Sequence, residues 1–172
     1  MTRNKQGKAW AFLMTALAAS PVAAQQDGQP EGSPAAQPPL WLISCSNQAD
    51  PATLRCEFSQ SIVLTQGNQR VATASFVKNA GQPDVDGIFT VPVGVHLPTG
   101  LSVSVDGTEV AKAAFLVCDG QGCHAEAEVD QAWLEAMRSG LELTLGVDRA
   151  DRRSLSFTFQ LEGFTATEAL LP

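Results

Sequence analysis

Four cysteines stand in this 172-residue sequence as two close couples, Cys45 with Cys56 and Cys118 with Cys123. The second couple lies in Leu116-Val-Cys-Asp-Gly-Gln-Gly-Cys-His-Ala-Glu126, where a glycine-rich turn separates the cysteines and a histidine follows directly. Such a stretch can be a metal clip, a redox centre or a covalent staple, and each implies a different compartment. The compartment therefore comes first.

Residues 1–8 carry Arg3, Lys5 and Lys8 and no acid, and they lead into an uncharged apolar run at residues 9–19. That run is shorter than the roughly 20 residues a spanning helix requires. Pro21-Val-Ala-Ala24 then places small or compact residues at the positions a signal peptidase reads, before Gln25. The pattern predicts a cleaved secretory signal over residues 1–24. Residues 25–39 hold four prolines and two glycines without a large apolar side chain, which predicts a disordered leader. A domain is expected over residues 40–172, and no later apolar stretch is long enough for a spanning helix. The expected destination is the periplasm or the extracellular space.

Without residues 1–24 the chain keeps 8 Lys plus Arg against 18 Asp plus Glu, a formal charge of −10. Such acidity repels phosphate backbones and anionic lipid surfaces, so nucleic-acid binding is not expected. An even cysteine number in an oxidising compartment reads as two disulfides. Three pairings are possible, and the local couples favour Cys45 with Cys56 and Cys118 with Cys123.

From Leu40 onward the hydrophobic period is mostly two, with strand-like segments near residues 40–45, 54–59, 70–77, 87–93 and 101–105. Asp106-Gly107 marks a tight hairpin turn before residues 108–110. Residues 111–118 and 123–129 read as a second hairpin. The period changes once: Asp130 is a candidate N-cap for a helix over residues 131–139, with Ala132, Trp133, Ala136 and Met137 on one face and Gly140 as its stop. Two alternating strands follow, their inward residues expected to be Leu141, Leu143, Leu145 and Leu155, Phe157, Phe159, Leu161. The sum is an all-β fold, an antiparallel β-sandwich of about eight or nine short strands with one short helix. Trp41, Trp133, Phe115, Phe157 and Phe159 are expected in its core.

Chemistry-bearing groups are sparse. Cys118, Cys123 and His124 lack the usual zinc-knuckle spacing and an evident fourth ligand, so no metal is expected. The thioredoxin-type Cys-x-x-Cys and its βαβ context are missing, as are a Gly-x-Ser-x-Gly elbow and a P-loop. His96 and His124 are the candidate bases. Asp84 with Asp86, and Glu126 with Glu128, are the acid pairs, and alternation puts the latter on one solvated strand face. No catalytic residue, cofactor or metal is assigned, and the staple is the reading preferred for Cys118 and Cys123.

Several features in order carry a resemblance. They are Trp41 with Cys45 and Cys56, the run Phe89-Thr-Val-Pro-Val-Gly-Val-His-Leu-Pro-Thr-Gly100, the Gly122-Cys-His-Ala125 signature, the helix ending at Gly140, and the terminal Leu161-Glu-Gly-Phe164. On these the domain resembles the invasion-associated locus B family of exported bacterial proteins. The resemblance implies a context in the cell envelope rather than a reaction. It carries over no catalytic residue, and it implies a non-enzymatic protein that binds an unidentified envelope or host macromolecule. A small-ligand carrier with a cavity between its sheets is the alternative.

Overall fold

A computed structural model describes residues 40–48 and 53–172. The expected signal and leader lie outside the described residues. The strands are β1 (Leu42–Ser46), β2 (Arg55–Leu64), β3 (Gln69–Asn79), β4 (Val85–Val91), β5 (Leu101–Val105), β6 (Thr108–Cys118), β7 (Cys123–Val129), β8 (Glu142–Asp148) and β9 (Ser154–Gln160). Helix α1 (Gln131–Ser139) lies between β7 and β8, and α2 (Phe164–Glu168) follows β9. A single 3-10 turn, Leu97–Thr99, precedes β5.

All neighbouring strands are antiparallel, in the order β1-β2-β3-β4-β7-β6-β5-β8-β9. The expected all-β, sandwich-like fold is therefore present, as one curled sheet rather than two separate ones. Residues 108–118, read from the sequence as parts of two hairpins, form one unbroken strand. The first half of β6 pairs with β5, and from Ala114 onward it pairs with β7. The curl brings β2 to β9. There the Gln60 amide donates to the Gln160 carbonyl and accepts from the Gln160 N–H, both at 3.0 Å, as a neighbouring strand would. Trp41 Nε1 donates to the same carbonyl at 3.1 Å.

The hairpin at Asp106-Gly107 forms as expected, both residues taking positive φ, 48° and 81°. Asp130 caps α1 by accepting from Trp133 N at 2.8 Å. Replacing it with Ala is expected to cost about 1 kcal/mol in urea denaturation, since one orphan N–H of the first turn loses its acceptor. The helix buries Trp133, Leu134 and Met137. Ala132 is exposed instead, and Leu134 takes the place the pattern had given it. Gly140 does end the helix, but at φ −84° it is not a left-handed stop. A Cβ there would meet Val105 Cγ1 at 2.6 Å, so glycine is required by close approach to β5.

Helix α2 was not legible. It starts at Gly163 without a capping side chain and is tied to α1 by the fork of Arg138, whose Nε donates to Glu168 Oε2 at 2.7 Å. Its purpose in packing is Phe164, fully buried among Trp41, Phe58 and Phe76 at ring-centroid distances of 5.4, 5.4 and 5.7 Å. Phe89 stacks on Trp133 at 6.0 Å, so six rings fill one half of the interior. Leu143, Leu145, Phe157, Phe159 and Leu161 are buried in the core as expected. Leu141 is not: it is 74% exposed, because the ladder of β8 begins one residue later, at Glu142. Leu155 faces the core side opposite Val147 but stays 37% exposed at the start of the terminal strand β9. Phe115 is half-buried beside a bulge of β6.

Candidate functional site

Both cysteine couples sit at directly opposed ladder positions, Cys45 facing Cys56 on β1 and β2, Cys118 facing Cys123 on β6 and β7. Each pair is bonded, with Cα atoms 4.0 Å apart. A covalent bond between facing strand positions fixes register, and the second bond also closes the turn that carries Asp119 and Gln121.

That turn is built around one carboxylate. Asp119 Oδ1 accepts from the backbone N–H groups of Gln121 (2.7 Å) and Gly122 (3.2 Å), and from His124 Nε2 at 3.1 Å. At Gly122 a Cβ would run into the Val91 carbonyl oxygen, so the turn can press onto the end of β4 only with glycine there. A carboxylate only accepts, so Nε2 carries a proton toward Asp119, while Nδ1 lies 3.1 Å from the Thr90 hydroxyl on the facing strand and accepts from it in the neutral ring.

The His124 hydrogen bond is the largest cause holding the Asp119 carboxyl below its ordinary value, with the Gln121 N–H second. A carboxyl depressed in the folded chain contributes stability above the unfolded value, and loses it as pH falls through the folded one. Carboxyl-carbon NMR is therefore expected to show Asp119 titrating below 3.8, and its midpoint rising in H124A. An unchanged midpoint in that variant would remove His124 as the cause.

Along the outer face of the sheet, Ser59 faces Ser75 and Ser75 faces Ile88; one row on, Thr73 faces Thr90 and Thr90 faces His124. Of these, Thr73, Ser75, Ile88, Thr90 and His124 line a hollow of about 290 Å³, together with Glu57 on β2, Arg70 on β3 and Gln121 in the turn. A smaller hollow of about 130 Å³ shares Arg70, Val71 and Gln121 and continues to Pro92 and Val93. Two of its polar side chains lack a partner among the described residues. Ser75, only 5% exposed, makes no side-chain hydrogen bond among the described residues, but its hydroxyl reaches the hollow; the buried side-chain polar atom without a partner among the described residues is Trp133 Nε1. Arg70 is exposed and makes no ion pair among the described residues, as is also true of Arg55, Lys78, Arg149 and Arg152.

A larger hollow of about 360 Å³ on β5, β8 and β9 differs in this respect. There Lys112 pairs with Glu109, Ser102 donates to the Gly146 carbonyl, and Ser154 donates to Asp148.

The remaining sequence candidates are dispersed. His96 bonds Thr99 at 2.6 Å within the 3-10 turn, away from His124. Glu126 and Glu128 lie exposed on one face of β7, where Glu128 faces Asp86 across the ladder. Sequence reasoning singled out His124 but missed Arg70, Ser75, Thr90 and Gln121 as its neighbours. Among the described residues no group of three or more His, Cys, Asp or Glu side chains is placed to hold a metal, and no helix is long and apolar enough to cross a membrane.

Residues 41–172 match the family model described as Invasion associated locus B (IalB) protein. Two curated relatives, the invasion protein B homologs of Brucella abortus strain 2308 and of Brucella abortus biovar 1 strain 9-941, are each 30% identical to this chain over 167 residues. The match covers 95% of this chain and 94% of each relative. The crystal structure of invasion associated protein b from Bartonella henselae superposes with a TM-score of 0.68 at 28% identity. It covers 76% of this chain and 88% of that one.

Proposed function

We propose, from the premise that this chain belongs to the invasion-associated locus B family, that it is an exported, non-enzymatic protein of the periplasm or extracellular space that acts by binding an envelope or host macromolecule. The observation that carries this reading is the pair of disulfides at facing strand positions, which suits an oxidising compartment. The cationic then apolar start of the sequence agrees with it, as do the words of the relatives' names.

Binding is favoured over catalysis by the state of the histidines. Both nitrogens of His124 are engaged, one by Asp119 and one by Thr90, and Asp119 is committed to its own turn. His96 is engaged by Thr99. The aromatic rings filling the interior speak against a carrier with its cavity between the halves of the sheet.

In-cell crosslinking of the tagged full-length protein, with fractionation of the envelope, tests the proposal. The expected result is oxidised protein outside the cytoplasm, joined to one reproducible macromolecular partner. Reduced protein in the cytoplasmic fraction would overturn export, and turnover lost on replacing His124 would overturn the non-enzymatic reading.

A further inference from the structure

Resting on the exported part of that reading, we infer that one end of the curled sheet is a docking surface for an anionic phospholipid bilayer. Four connections lie at this end, residues 65–68, 92–100, 119–122 and 149–153. Antiparallel pairing gathers them there, because β2, β4, β6 and β8 all run toward it. Contacts join them into one surface. His96 N donates to the Asp148 carbonyl at 2.7 Å, Ala150 N donates to the Gly94 carbonyl at 2.9 Å, and one hollow is lined by Arg70, Val93 and Gln121. Six large apolar side chains stand on this end, Val63, Leu64, Val93, Leu97, Leu116 and Val117, each between 44% and 65% exposed. Exposed apolar residues scattered singly are ordinary, but six gathered at one end mark an interaction surface.

Charge separates this end from the rest of an acidic chain. It carries Arg70, Arg149, Arg152 and Arg153 against Asp119, Asp148 and Asp151, four cations to three acids. Asp151 is taken up by Arg153 at 2.6 Å, and Asp119 by its own turn and His124. The opposite end is acidic: Asp106, Asp130, Glu135, Glu142 and Glu162 lie there with Arg55 and Lys78, and Arg138 is held by Glu168. Strands of seven residues, β4 and β7, separate the two ends by about 23 Å at about 3.3 Å per residue. That exceeds twice the screening length of about 8 Å at physiological ionic strength, so the distant acids do not repel a surface touched by the arginine end. A bilayer interface takes up separate apolar points while long arginine side chains stay at the level of the phosphates, to which the guanidinium fork is matched. A protein partner fits less well, because the hollow between the connections, about 130 Å³, is smaller than the roughly 300 Å³ at which binding pockets begin.

The test is flotation of the exported, oxidised protein, cleared of residues 1–24 by cleavage in the cell, with vesicles of phosphatidylglycerol and phosphatidylethanolamine or of phosphatidylcholine alone. Binding to the phosphatidylglycerol vesicles is expected to be tighter by about tenfold or more, and to weaken severalfold as salt is raised. Val93, Leu97, Arg55, Arg149 and Arg152 are exposed, so their variants keep the fold. V93S with L97S is expected to lose about fivefold, R149Q with R152Q about tenfold or more, R149Q alone severalfold, and R55Q, at the other end, nothing. With a paramagnetic lipid in the vesicles, the amide signals of Val93, Leu97 and Gln121 are expected to broaden before those of Glu135 and Glu162. Equal binding to the two kinds of vesicle, or an R55Q loss as large as that of R149Q, overturns the inference. So does broadening that starts at the acidic end, or no flotation at millimolar lipid. Crosslinking of these loops to an acidic protein without flotation assigns the surface to a protein and overturns the lipid. Reduced protein in the cytoplasm would instead fail the export reading, which the vesicle result on exported protein leaves intact.

Discussion

Phe76→Ala is expected to destabilise the domain by about 3–5 kcal/mol, the range for deleting a buried ring whose neighbours cannot collapse into the space. Phe76 is fully buried, and its ring lies 5.3 Å from Phe58, 5.7 Å from Phe164, 5.9 Å from Trp41, 6.0 Å from Phe89 and 6.4 Å from Trp133. Those partners come from β2, β4, both helices and the residue before β1, so a cavity at this point loosens five segments together. A domain of this size has about 5–15 kcal/mol in all, which makes the loss a large fraction of the total. Urea denaturation under non-reducing conditions measures it. Leu141→Ala, at a position the alternation alone would place inward, is expected to change stability by about 0.5 kcal/mol or less. Equal losses in the two variants would mean that the ladder of β8 begins one residue earlier than described.

Removing the first disulfide as Cys45→Ala with Cys56→Ala is expected to cost about 3 kcal/mol on the loop-closure model, against about 2 kcal/mol for the shorter Cys118–Cys123 loop. The local consequence is sharper than the global one. Every residue of β1 is exposed, and β1 hydrogen-bonds to β2 alone, so the bridge is its main tether. Trp41, buried at 3% exposure, immediately precedes it. Hydrogen exchange at residues 42–46 is expected to quicken toward unprotected rates in the double variant while β4 and β7 stay protected. Unchanged exchange in β1 would show that packing of Trp41, not the bridge, holds the strand.

Much of this architecture was legible because antiparallel strands with one covered face write their period into the sequence. The segment at residues 101–110 is the clearest case, since alternation and Asp106-Gly107 agree on one hairpin. Where the reading failed, local pattern and tertiary context parted. Leu141 continues the alternation of β8 chemically, yet its N–H is taken by the Asp106 carboxylate and the ladder starts after it. Helix α2 spans five residues, too few to show a helical period, and only the burial of Phe164 explains it.

The candidate groove was the least legible part. Its residues come from four strands and one turn, so no window of sequence contains it. His124 drew notice as a rare residue type. Arg70 and Ser75 read as ordinary outward positions, because the absence of a partner is a property of the folded surface. The one available signal was the hydroxyl at alternate positions of β3, Thr73 and Ser75, on the face away from Ala72, Ala74 and Phe76.

The unbroken strand β6 has a consequence for how the molecule comes apart. In a sandwich of two independent sheets, one sheet can open while the other persists. Here a single backbone donates its ladder first to β5 and then to β7, so neither half can detach without tearing the strand that belongs to the other. The protein should therefore open as one cooperative unit, with β4, β5, β7 and β8 sharing a common exchange free energy and only its edges fraying independently.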